Sequence, residues 1–95
     1  MNIDFTYHAR NERINGRLAG LVTESEVVRA IEANPNREYI DVKYFDHRIY
    51  LGEPSDPDTP KGDKITACVK WNGNKCKVIT VMLRKSTSES ERYNR

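Results

Sequence analysis

Two runs of alternating strand-forming residues, "KITACVKW" at 64–71 and "KCKVITVML" at 75–83, close on "NGN" at 72–74. Val, Ile, Thr and Trp suit a pleated, half-buried surface, and an Asn-Gly step between such runs is the strongest short-range hairpin signal. Unbroken pairing across this turn puts Ile65, Ala67, Val69, Trp71, Cys76, Val78, Thr80 and Met82 on one side. It puts Cys68, Ile79, Val81 and Leu83 on the other. The run 77–83 is apolar on both sides, which marks a central strand. The two cysteines fall on opposite faces, which argues against a disulfide between them. A lone hairpin is marginal in water, so the rest of the chain has to supply further strands or a helix layer.

It supplies both. "EYIDVKYF" at 38–45 alternates Ile40, Val42 and Tyr44 against Asp41 and Lys43, and "RIYLG" follows a turn at Asp46 and His47. Residues 52–63, "GEPSDPDTPKGD", carry three prolines and two glycines and read as a loop. Residues 2–5 are a short lead-in of strand-forming character. Thr6 is a plausible N-cap for a first helix from Tyr7 to Ile14, ended by Asn15-Gly16. "TESE" at 23–26 is a capping box opening a second helix. That helix turns Val27, Ala30 and Ile31 inward and Glu24, Arg29 and Glu32 outward, until Asn34-Pro35-Asn36 stops it. The expectation is an α+β fold with two N-terminal helices packed on a four-stranded antiparallel sheet. It comprises a single domain over 1–85 and a polar flexible tail over 86–95.

Composition narrows the function classes. Sixteen Lys and Arg against fourteen Asp and Glu give a net charge of +2, which permits nucleic-acid binding without requiring it. Basic residues gather at 8–17 and again at 70–85, while acidic ones gather at 53–63. A fold that joins the two basic segments builds a cationic patch away from that acidic loop. Two cysteines are too few for a secreted disulfide scaffold, and no apolar run reaches the ~18 residues of a membrane span. No secretory leader pattern opens the chain. The expectation is a cytoplasmic protein with reduced thiols and no membrane partner. CxxC, HExxH, a glycine-rich phosphate loop and GxSxG are all missing, so no metal and no cofactor is expected.

His8 leads the residues that can carry chemistry. A neutral imidazole can take a proton, as metal-free RNA cleavage requires when a 2′-OH attacks the adjacent phosphate. Such a reaction also needs cations on the phosphate, and Arg13 and Arg17 follow on the same helix. Glu12, four residues after His8, can orient the ring or serve as a second acid/base group. Thr80 can offer a hydroxyl from the central strand. Arg10, Arg84 and Lys85 can grip a phosphate backbone, arginine doing so in bidentate fashion. Tyr7 and the other tyrosines can stack on bases. His47 reads as a turn residue. The same groups equally fit the wet face of a small polar domain, and both readings stand at this point.

The pattern "IDFTYHARNER…R", the capped "TESEVVRAIEANP" and the closing "KVITVML" resemble a family of small bacterial and phage domains. That family is similar to the BrnT and RelE ribonuclease toxins. The likeness covers most of residues 3–83. It implies helices packed on an antiparallel sheet and a metal-independent endoribonuclease, with RNA as substrate and a cognate antitoxin as partner; a host protein is the partner expected of the competing, non-catalytic class. It matches His8-Ala9 to the family's His-Ala pair, Arg13 and Arg17 to its two arginines, and Thr80 to its strand threonine. The family sets its first arginine four residues after the histidine, whereas here Glu12 holds that place. On an α-helix Arg13 lies roughly 140° away from His8. Regular helical geometry therefore pairs His8 with Glu12, and the resemblance pairs it with Arg13. The competing class is a non-catalytic protein: a protein-binding inhibitor that uses the acidic loop, or a nucleic-acid binder without cleavage.

Overall fold

The computed structural model describes residues 2–33, 38–41, 46–54, 63–85 and 93–94. It contains β1 (Asn2–Phe5), a π-helix (His8–Arg17), α1 (Glu24–Ala33), β2 (Glu38–Asp41), β3 (His47–Gly52), β4 (Asp63–Asn72), β5 (Lys75–Lys85) and β6 (Tyr93–Asn94). The α+β class is as expected, but the sheet is mixed and not antiparallel throughout. Its strand order is β1-β5-β4-β3-β2-β6, six strands among the described residues where four were expected. The lead-in 2–5 is an edge strand that pairs parallel to β5, from Asn2 opposite Lys75 to Phe5 opposite Val78. The other pairings are antiparallel. β6, within the expected tail, pairs with β2. Val42–Phe45, residues 55–62 and most of 86–95 lie outside the described residues, and Gly52 and Asp63 belong to β3 and β4. No described helix is long and apolar enough to cross a membrane.

The hairpin forms at Asn72–Lys75, with Trp71 opposite Cys76 and Val69 opposite Val78. The next pair is Cys68 opposite Thr80, so Ile79 is an extra residue and β5 carries a bulge. Past it, the expected facing reverses. Val81 and Leu83 join the helix-side core with Ile65, Ala67, Val69, Cys76 and Val78. Thr80 and Met82 move to the other side, opposite Cys68 and Thr66. Unbroken alternation placed these four residues the other way round. The two cysteines are free, buried and on opposite faces as expected, Cys76 in the helix-side core and Cys68 with Ile49 and Leu51 behind it.

Helix-side packing is built by Ala9, Ile14 and Leu18 of the first helical segment and by Val27 and Ile31 of α1. The capping box forms as read: Thr23 N–H donates to Glu26 Oε1 at 3.0 Å, and Glu26 N–H to Thr23 Oγ1 at 3.2 Å. Gly52 lets α1 settle on β3; a Cβ there would stand 2.6 Å from Ala30 Cβ.

The first helix differs most from expectation. It does not end at Asn15-Gly16 but continues to Arg17, and it is a π-helix, with Leu18 N–H bonded to Arg13 O five residues back at 2.8 Å. Gly16 suits the wide turn. A Cβ there would stand 3.0 Å from Asn11 O, the carbonyl five residues earlier.

Candidate active site

Thr6 places the site. β1 stops at Phe5, opposite Val78, so among the described residues β5 has no strand partner on that side from Ile79 onward. Thr6 N–H donates to Val78 O at 3.0 Å, and its hydroxyl donates to Ile79 O at 3.0 Å. The same hydroxyl accepts Ala9 N–H at 3.1 Å, satisfying one donor of the first helical turn. One residue thus ends the strand, starts the helix and ties both to the bulge. The π-helix then lies along the bare edge of β5. Arg13 Nε donates to Val81 O at 2.7 Å, covering the next outward carbonyl. A free strand edge is an aggregation hazard, and this one is covered by side chains instead of a further strand.

His8 sits two residues beyond Thr6 and bridges helix and strand. Its Nδ1 is 2.9 Å from Glu12 Oε2, and its Nε2 is 3.2 Å from Thr80 Oγ1. An ionised carboxylate only accepts, so Nδ1 carries hydrogen and the neutral ring turns the Nε2 lone pair to the Thr80 hydroxyl. When the ring gains a proton, Nε2–H donates to the same hydroxyl, which can reverse its role. The arrangement is complete in both protonation states, as a proton-transfer group requires. It is also open to solvent: the His8 and Glu12 side chains are 50% and 59% exposed. The bulge makes the meeting possible, because it turns Thr80 out of the helix-side core.

The π-helix has room for both Glu12 and Arg13 near the β5 edge. Closing each turn on the fifth residue instead of the fourth widens it, so positions four and five residues after His8 both return near its side. Glu12 bonds the ring, and Arg13 reaches Val81 O, one residue from Thr80. The Arg13 Nη groups have no partner among the described residues. Arg17 stands at the far end of the helix, exposed, with no bond to His8 or Thr80 among the described residues.

Of the expected phosphate-gripping residues, Arg10 is engaged away from His8 and Thr80. Arg10 forms a two-point ion pair with Glu24, both contacts at 3.1 Å, and its guanidinium lies 5.4 Å from the centre of the Phe5 ring. It lines an open hollow of about 640 Å³ between β1 and α1, which excludes His8 and Thr80. Arg84 reaches Met82 Sδ at 3.2 Å. Lys85 ends β5 opposite Asp63. His47 belongs to β3, with Nδ1 3.5 Å from Cys68 Sγ.

Compared with family models, with characterised proteins and with solved structures, the chain matches none.

Of the residues singled out from sequence, His8, Glu12 and Thr80 are joined by hydrogen bonds and Arg13 bonds the neighbouring Val81 carbonyl; Thr6, read only as an N-cap, is the residue that joins helix and strand. Its signal was present in the N-cap reading, since a hydroxyl with two lone pairs and a proton can serve helix and strand together. Among the described residues no three His, Cys, Asp or Glu side chains gather to hold a metal ion.

Proposed function

We propose that the His8–Glu12–Thr80 cluster is a metal-independent RNA-cleaving site of the kind the BrnT and RelE toxins represent. The observation that carries this reading is the bridged imidazole: Glu12 on one nitrogen, Thr80 on the other, both at hydrogen-bond distance on an open surface. Nε2 of neutral His8 takes the proton of a ribose 2′-OH as that oxygen attacks the adjacent phosphorus. The P–O5′ bond breaks, the leaving 5′ oxygen takes a proton from solvent water, and His8 returns the proton it took to solvent. The products are a 2′,3′-cyclic phosphate and a 5′-OH end. Glu12 stabilises the imidazolium that forms. The free Nη groups of Arg13 supply positive charge for the crowded phosphate oxygens, with Arg17 as a second cation where RNA reaches it. Thr80 aligns the ring and yields the lone pair when the 2′-OH arrives. Under this reading the protein acts in the cytoplasm and has a cognate antitoxin as partner.

The test is an RNA-cleavage assay in chelator, scored by end-group analysis, with wild type, His8→Ala and Thr80→Val. Loss of cyclic-phosphate ends in His8→Ala supports the site. Equal RNA decay in both proteins removes it. A second reading, an RNA binder that does not cut, draws on one observation: Thr80 already occupies the Nε2 lone pair. Binding without cleavage in the same assay would favour it.

A further inference from the structure

β4 and β5 carry cations on the side of the sheet away from the helices, and the two strands treat them differently. On β4, Lys64 pairs with Glu53 and Lys70 with Asp46, the latter at 3.2 Å. On β5, the same side presents Lys75, Lys77, Thr80, Met82 and Arg84, because the bulge at Ile79 brings the residues after it into line with the lysines before it. Among the described residues the Lys75 and Lys77 side chains have no hydrogen bond or ion pair, and that of Arg84 has only the Met82 sulfur. Lys77 lies directly opposite Lys70, a like-charge pair that destabilises a sheet. Asp4 is the one acidic neighbour of Lys77 across the pairing with β1. An open hollow of about 570 Å³ includes Asp4, Lys70, Lys75 and Lys77 in its lining.

We infer that the helix-free side of β5 is a binding track for the backbone of single-stranded RNA, with Thr80 and His8 part-way along it. Nine residue steps at about 3.3 Å separate Lys75 from Arg84, about 30 Å in all, with Lys75 and Lys77 exposed and Thr80, Met82 and Arg84 half-buried. Unpaired lysines seat phosphates without reading sequence. Tyr7, next to His8 in the chain and 73% exposed, offers a face for a base. An exposed aromatic ring adjacent in the chain to His8 favours nucleic acid over an acidic protein, which has no bases to stack. The inference rests on the cleavage reading only for where the scissile phosphate sits; the binding claim stands apart from it.

The experiment uses the full chain and a fluorescent twelve-residue 2′-O-methyl oligouridylate, which cannot be cleaved through its 2′ position. Anisotropy is followed across a salt series. For Lys75→Gln/Lys77→Gln, the slope of log affinity against log salt should shrink by about 1.4, two contacts at about 0.7 each on a single strand. Tyr7→Ala should bind about tenfold more weakly with its slope unchanged. Arg29→Gln, an equal loss of charge per site on the exposed face of α1, should leave both quantities unchanged. An Arg29→Gln slope change as large as that per lysine overturns the track, as does an unaltered lysine double variant. Equal competition by oligoglutamate of matched charge overturns it in favour of an acidic protein. Intact RNA in the cleavage assay together with a lysine-dependent slope would remove the proposed catalysis and leave the track standing.

Discussion

His8 and Thr80, 72 positions apart, meet at 3.2 Å because Ile79 is one residue too many for its partner strand. The bulge re-aims Thr80, and Thr6 holds the start of the helix against it. The kinetic expectation follows from what each partner gives the ring. His8→Ala should lower RNA cleavage by about 10²–10⁴-fold, the usual worth of a positioned acid/base group. Glu12→Gln keeps an acceptor for Nδ1–H but loses its charge, so about a tenfold fall is expected from the gap between charged and neutral hydrogen bonds. Thr80→Ser should retain most activity and Thr80→Val should not. Initial rates on one oligonucleotide, with melting curves to confirm folding, test the order.

Arg13 carries two roles that can be separated. Its Nε bond to Val81 O covers an exposed carbonyl, and a charged donor of this kind contributes about 1.5 kcal/mol when partly solvated. Arg13→Ala should therefore lower the urea midpoint at an unchanged m-value. It should also lower cleavage by more than the unfolded fraction explains, because the free Nη groups go with it. A loss of activity that only tracks unfolding would assign Arg13 to the strand edge alone.

Gly52 should tolerate no side chain. A Cβ would meet Ala30 Cβ at 2.6 Å, and neither atom can rotate away, so α1 must lift from β3. Gly52→Ala is expected to cost about 1–3 kcal/mol, the range for overpacking a tight contact. Ala30→Gly costs about 1 kcal/mol alone, as glycine does inside a helix. The double variant should lose less than the two singles together, because it restores the space. Additive losses by denaturant unfolding would contradict the contact.

The legible parts of this fold were the ones encoded by near neighbours. The capping box at Thr23 and Glu26 needs four residues and formed as read. The Asn-Gly hairpin and the inward stripe of Val27, Ala30 and Ile31 are similarly local. The parallel pairing of Asn2–Phe5 was not legible, because its partner lies at the other end of the chain and a four-residue strand has no period to declare it. The bulge was hidden because "KVITVM" offers Ile, Val and Met to both sides, so alternation fits either facing. At the site, His8 and Glu12 were legible from spacing. The simultaneous placing of Arg13 was not, because an α-helical wheel excludes it and a π-helix does not. Asn15-Gly16 misled for the same reason: the glycine that signals a turn serves here as room within the wide helix.

Cys76 gives the fold a dependence on alkaline pH. Burial in the helix-side core, at 1% exposure, pushes its thiol up from an ordinary 9.0 to about 11. Well below pH 9 the thiol is neutral in folded and unfolded chains alike, and the raised value costs nothing. Between pH 9 and 11 the unfolded chain releases its proton while the folded one keeps it, so unfolding is drawn forward and stability falls as pH rises. Cys76→Ala should lose about 1 kcal/mol or more to the small void it leaves, but should flatten this alkaline decline. Stability followed from pH 8 to 11 for the two proteins tests it, and a decline of equal slope in both would show that the thiol is not its source. Alkylation gives an independent reading. Native Cys76 should resist iodoacetamide at pH 8 and react at once in urea, since the thiolate is the nucleophile and the folded core withholds it.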